Sequence, residues 1–211
     1  MLRYLHQRQW RTIVGLTLIL SLGFVARAGA SSTLRLARFS DVSPRDAGTG
    51  AIFAGMSYPE GATGYRSLGL SDAVQPPAGR TIAALTTLPA GTESVEAKFL
   101  DPRIEPPGTL GFTYLASIRY RVNGHLVYVV TSEPTAAAKE RQIILGETPV
   151  DLGQGRTAYI SREWERKQGD KAYRKEYVRL ALAQDGLIVT VYSDLPEQEL
   201  VEIARGVAMM R

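Results

Sequence analysis

Residues 172–211, AYRKEYVRLALAQDGLIVTVYSDLPEQELVEIARGVAMMR, read as a strand, a two-residue turn, a second strand and a closing helix. Two runs of strand-forming residues flank Asp185-Gly186, a pair that favours a type I′ turn because both central positions take φ > 0. The two-residue loop fixes the register. Leu182 faces Val189, Leu180 faces Val191 and Val178 faces Ser193 on one side, with Ala181/Thr190 and Arg179/Tyr192 on the other. The first side is apolar and the second amphipathic. In the following SDLPEQELVEIARGVAMM, Asp194 is placed to cap a helix, Pro196 suits its first turn and Glu197 takes the capping-box position. Leu200, Ile203, Ala204 and Val207 then recur at the spacing of a helix laid on a sheet.

The same grammar appears upstream. TYLASIRYRV and HLVYVVTSE, residues 113–122 and 125–133, flank Asn123-Gly124, another type I′ signature. In that register Tyr120 faces Val127 and Ile118 faces Val129 on the core side, while Arg119 faces Tyr128 and Ser117 faces Val130 on the other. Each hairpin therefore carries an Arg/Tyr cross-strand pair on its outer face. Arg119, Tyr128, Arg179 and Tyr192 form a candidate binding face, because Tyr and Arg combine large contact area with directional polar groups. The alternative is that these pairs only cover a solvated sheet face through cation–π contacts.

The formal charge of +4 lies at the N-terminus: residues 1–30 hold Arg3, Arg8, Arg11 and Arg27 and no acid, and the 25 basic residues less these four leave 21 against 21 acidic. Without that segment the chain is neutral, which argues against a nucleic-acid partner. Residues 12–26, TIVGLTLILSLGFVA, are an apolar run behind three arginines, and Ala28-Gly29-Ala30 offers a small-residue cleavage site. Arg27 stops the run short of the roughly 20 apolar residues of a spanning helix. Residues 1–30 are read as a signal peptide, with a retained membrane anchor over residues 12–26 as the alternative. In either case the chain is exported, periplasmic or extracellular. With no cysteine, the exported domain relies on its core rather than on disulfides.

Residues 31–66 are rich in Gly, Ser, Ala and Thr, lack sustained periodicity and read as a flexible linker. Their apolar patch AIFAGMSY, residues 51–58, is read as a locally sticky part of that linker, with docking onto the domain or a partner as the alternative. Residues 67–211 have the length of one domain. SLGLSDAV before Pro76-Pro77 suggests a short helix; residues 81–88 and 93–100 suggest strands; residues 134–142 suggest a helical turn, followed by strands through IIL and RTAYISREW. The fold class is α+β: a curved, mostly antiparallel sheet of about seven strands with a C-terminal helix packed on one face.

Reactive chemistry is sparse. His125 sits beside the Asn-Gly turn as an ordinary hairpin-end residue, no Cys is present, and Gly153-Gln154-Gly155 leads into a strand and reads as a turn rather than a phosphate loop. Glu163 and Glu165 share one face of a strand and have the residue types of a glycosidase pair, but they stand in the charge-rich run REWERKQGDK, which suits a solvated hairpin end. No catalytic residue, cofactor or metal is expected.

Leu88-Pro89-Ala90-Gly91 with ESVEAKF, the stretch PVDLGQGRTAYIS, Trp164 and the ending LIVTVYSDLPEQELVEIARGV together resemble an uncharacterised extracytoplasmic domain family often attached behind the membrane helix of bacterial anti-sigma factors. The resemblance spans about residues 70–210. It implies a curved antiparallel sheet with helix packing, similar to periplasmic lipoprotein carriers. REWERKQGDKAYRKE is longer than the matching strand-turn-strand of that family, and the family supplies no catalytic residues. The expected function is a non-catalytic binding or sensory module at the cell envelope, in transmembrane signalling or sigma-factor regulation, with an envelope protein, lipid or cell-wall component as partner. A periplasmic lipid or lipoprotein carrier is the alternative, marked by an apolar concavity between sheet and helix. A cell-wall glycoside hydrolase is the third.

Overall fold

Asn123 and Gly124 take φ of 50° and 80°, and Asp185 and Gly186 take 53° and 77°, so both two-residue turns have the left-handed backbone of type I′. The computed structural model describes residues 35–38, 51–53, 64–72, 74–99, 111–139, 142–166 and 174–211, with backbone alone for 35–38, 51–53, 142, 163–166 and 174–176. Residues 1–30, read as a signal or anchor, lie outside this range.

The strands are β1 (Arg35–Arg38), β2 (Ala51–Phe53), β3 (Arg66–Leu68), β4 (Ile82–Leu85), β5 (Thr92–Phe99), β6 (Phe112–Val122) and β7 (His125–Pro134). After the short helix α1 (Ala136–Lys139) come β8 (Gln142–Gly146), β9 (Thr148–Gly153), β10 (Arg156–Arg166), β11 (Arg174–Gln184) and β12 (Leu187–Ser193). Helix α2 (Glu197–Arg205) and β13 (Val207–Met210) close the chain.

Eight strands make one open antiparallel sheet in the order β3-β5-β6-β7-β12-β11-β10-β9. It consists of two meanders joined where β7 meets β12, with Val129 opposite Val191 and Tyr128 opposite Tyr192. The registers read from both hairpins are those of the structure. The main sheet thus has eight strands instead of about seven, and two smaller sheets, β1-β8-β2 and β4-β13, lie outside it. Its edges are modest templates for further pairing: β3 is three residues long and β9 contains Pro149.

One face of the sheet is aliphatic. Ile118, Val129, Leu180 and Val191 project there and are fully buried beneath Leu200 and Ala204 of α2 and Ile82, Ala83 and Ala84 of β4. Strand β4 pairs with β13 along one edge. On its other side the sheet supplies the missing acceptors: Ala83 N donates to Thr131 Oγ1 at 2.8 Å and Leu85 N donates to the Tyr120 hydroxyl at 3.0 Å. Unpaired, each buried amide would cost about 1–3 kcal/mol.

Three local expectations are corrected. Asp194 does not cap α2: the N-cap is Pro196 with no side-chain cap bond, and the Asp194 carboxylate lies 3.1 Å from His125 Nδ1. Glu197 is therefore the first helical residue, where its charge and that of Glu199 face the positive end of the helix dipole. The helix also ends sooner than its pattern suggested, at Arg205, and Val207 enters β13, whose pairing with β4 satisfies the backbone of an apolar run. Finally, SLGLSDAV is not a helix. Gly69 N donates to Asp72 Oδ2 at 3.0 Å and Asp72 N to the Gly69 carbonyl at 2.9 Å, a side-chain-closed turn that competes with helix formation.

Candidate functional site

The opposite, outer face of the sheet has different chemistry. Registers across six adjacent strands place Glu96 of β5 opposite Arg119 of β6, Arg119 opposite Tyr128 of β7, Tyr128 opposite Tyr192 of β12, Tyr192 opposite Arg179 of β11, and Arg179 opposite Ser161 of β10. The four residues singled out from sequence are thus consecutive members of one transverse row. The sequence places them pairwise; the junction of β7 with β12 joins the pairs.

Within the row the Tyr128 and Tyr192 rings stack with centroids 4.7 Å apart and planes 7° apart, and Tyr177 meets Tyr192 edge-on at 6.4 Å. These are favoured aromatic geometries. Tyr114 and Leu126 pack against the same group. At one end the Arg119 guanidinium pairs with Glu96 and lies 4.4 Å from the centre of the Tyr65 ring, whose hydroxyl is 2.8 Å from Ser117 Oγ. Burial works against the charge on Arg119, but hydrogen bonds to Glu96 and Tyr128 outweigh it and hold its pKa above the usual arginine value. Burial also raises the pKa of Tyr65, against the opposing effect of its hydrogen bond with Ser117.

The other end is buried more deeply. Arg179 is only 2% exposed; its Nε donates to Ser161 Oγ at 3.0 Å and its Nη2 to the Leu145 carbonyl at 3.2 Å. Leu145 belongs to β8, which crosses this face with Ile143 and Leu145 packed against Ala181 and Ile188. The expectation of a solvent-facing row is corrected here: Tyr128, Tyr192 and Arg179 are covered, and only the Arg119–Glu96 end is partly open. Arg179 fastens β8 to the sheet. Thr190 Oγ1, buried on the same face, has no hydrogen-bond partner among the described residues.

Tyr65, Glu96, Ser161 and Tyr177 were not singled out from sequence. Glu96 becomes visible as the partner of Arg119 only once the β5–β6 register is known, and residues 100–111 between those strands are too many to set it. Tyr65 lies in a segment without periodicity.

Other candidates fare differently. Glu163 and Glu165 stand on β10 opposite Tyr177 and Lys175, and their side chains lie outside the described residues. His125 pairs with Asp194 as above. Gln154 and Gly155 take φ of 55° and 72°, so the Gly153-Gln154-Gly155 stretch is a third tight hairpin turn. Among the described residues no group of three or more His, Cys, Asp or Glu is arranged to hold a metal, and no helix is long and apolar enough to cross a membrane. An open cleft of about 500 Å³ near the Asp185 turn is lined by both signs of charge, Arg80 and Arg211 with Glu133 and Asp185.

Comparison with protein-family models, curated proteins and solved structures returns no match.

Proposed function

We propose that this chain is an exported, non-catalytic binding or sensory module that acts at the cell envelope through the outer face of its eight-stranded sheet. The observation that carries this reading is the contrast between the faces: an aliphatic inner face filled by α2 and the β4–β13 ribbon, and an outer face on which charged and aromatic residues form an unbroken row. A core needs only volume and apolar surface. At the partly open end of the row, Arg119, Glu96 and Tyr65 combine charge with an aromatic surface, the residue types of a recognition site. The envelope partner is a protein in this reading, with transmembrane signalling or sigma-factor regulation as the setting suggested by the sequence resemblance.

The filled inner layer supports a binding module over a lipid or lipoprotein carrier. Ile82, Ala83, Ala84, Ile118, Val129, Leu180, Leu200 and Ala204 are fully buried where the sheet, α2 and β4 meet, whereas a carrier needs an apolar space for its cargo.

The test is capture of an envelope partner by the purified chain and by Arg119→Ala and Tyr65→Ala variants. Both residues lie at the partly open end of the row, so each variant should weaken capture while changing stability by about 1 kcal/mol or less. Unchanged capture by the double variant would remove the row from the binding account.

A further inference from the structure

Strand β8 is occupied on both edges by the chain's own N-terminal part. On one edge Arg35, Leu36 and Ala37 of β1 stand opposite Gln142, Ile143 and Ile144; on the other, Ala51, Ile52 and Phe53 of β2 stand opposite the same three residues, and both pairings are parallel. Two unrelated tripeptides, Arg-Leu-Ala and Ala-Ile-Phe, thus occupy equivalent registers. The two lie on opposite edges of β8, each joined to it by main-chain pairing, the basis of strand addition.

The strand itself is held from beneath. Ile143 and Leu145 are buried against the main sheet, Arg179 Nη2 donates to the Leu145 carbonyl, and Glu147 N donates to the Ile160 carbonyl at 2.8 Å. Gly146 lies so close to β10 that a Cβ there would come within 2.9 Å of the Ile160 and Tyr159 carbonyls. None of these contacts comes from β1 or β2. The N-terminal part touches the row at its far end too, where Tyr65 covers Arg119.

We propose that β2 is an intramolecular occupant of a strand-addition site on β8, and that the partner contributes an extended, apolar polypeptide segment that takes its place in parallel. This rests on the reading of the outer face as the binding surface. It adds what that face takes, a strand, and how it is regulated, by competition with the chain's own residues 51–53. Tyr65, the cover of Arg119, lies twelve residues after Phe53 of β2.

The experiment uses the full chain and a fluorescein-labelled peptide of residues 48–58, GTGAIFAGMSY, with binding read by anisotropy. Ile52→Pro removes a backbone donor from β2 and should bind the peptide at least tenfold more tightly than the unaltered chain. The chain has no cysteine, so an Ala51→Cys/Gln142→Cys pair can be locked cleanly; neighbouring strands lie about 4.8 Å apart, within the roughly 4.4–6.8 Å Cα separation of disulfides. Oxidised, this variant should lose peptide binding, and reduction should restore it to the level of the unaltered chain. Equal affinity in Ile52→Pro and the unaltered chain, absence of binding to both, or equal binding by the oxidised and reduced forms overturns the proposal. Arg119 stands on β6, which does not pair with β8. Peptide exchange together with unaltered partner capture by Arg119→Ala would therefore discard the row while keeping the β8 site.

Discussion

Tyr120 shows how one side chain serves two parts of the fold. It is fully buried in the aliphatic layer, and its hydroxyl accepts the Leu85 amide of β4. Burial of the neutral phenol raises its pKa to about 12, against a smaller opposing effect of that amide. The unfolded chain releases this proton near pH 10 while the folded chain holds it to about 12, so the associated stability is intact below pH 10 and falls as pH rises toward 12. Two pH units correspond to about 2–3 kcal/mol. Tyr120→Phe should lower stability at neutral pH by about 1–3 kcal/mol, because the Leu85 amide loses its acceptor, yet give a shallower loss between pH 10 and 12. Urea melts across that range check it, and parallel pH slopes for the two proteins would contradict it. Arg179 illustrates what a sequence withholds at this scale. Its partner Tyr192 follows from the Asp-Gly turn, but its burial depends on β8, more than thirty positions away. No local pattern announces that crossing, and an arginine on an amphipathic strand face reads naturally as solvated.

At the scale of elements, legibility tracks how far pairing information travels. Both long hairpins were readable to the individual residue because a two-residue turn leaves a single register and the alternation of side chains agrees with it. The row of candidate residues was readable only in halves, since nothing local specifies that β7 pairs with β12. Strand β3, only three residues long, offers little periodicity, and β13 continues an apolar helical pattern across Gly206. Helix α2 was legible on the face that matters: Leu200 and Ala204 are fully buried. Its far end is held by Arg156, whose Nη2 donates to the Arg205 carbonyl at 2.8 Å and Nη1 to the Val207 carbonyl at 2.6 Å, cationic groups at the negative end of the helix. Leu200→Ala should cost about 2–5 kcal/mol out of the roughly 5–15 kcal/mol typical of a domain, seen as a large drop in Tm. A thermally silent substitution would mean that α2 does not carry the inner layer.

For the whole molecule, export and binding are separate claims with separate tests. The short apolar run and the small residues at 28–30 lead us to expect removal of residues 1–30, which intact-mass measurement on protein from the producing cell decides; a mass that retains them would establish an anchor. The central claim is that a partner is contacted on the outer face, at the partly open Arg119–Glu96 end of its row, while the inner face is committed to α2. A photo-crosslinking residue placed at Tyr65, beside Arg119, and in a second variant at Gln198, exposed on α2, compares the two sides of the molecule directly in the producing cell. The account predicts a discrete crosslinked species from position 65 and none from position 198. A species from position 198 alone would contradict it and place recognition on the helix-covered side.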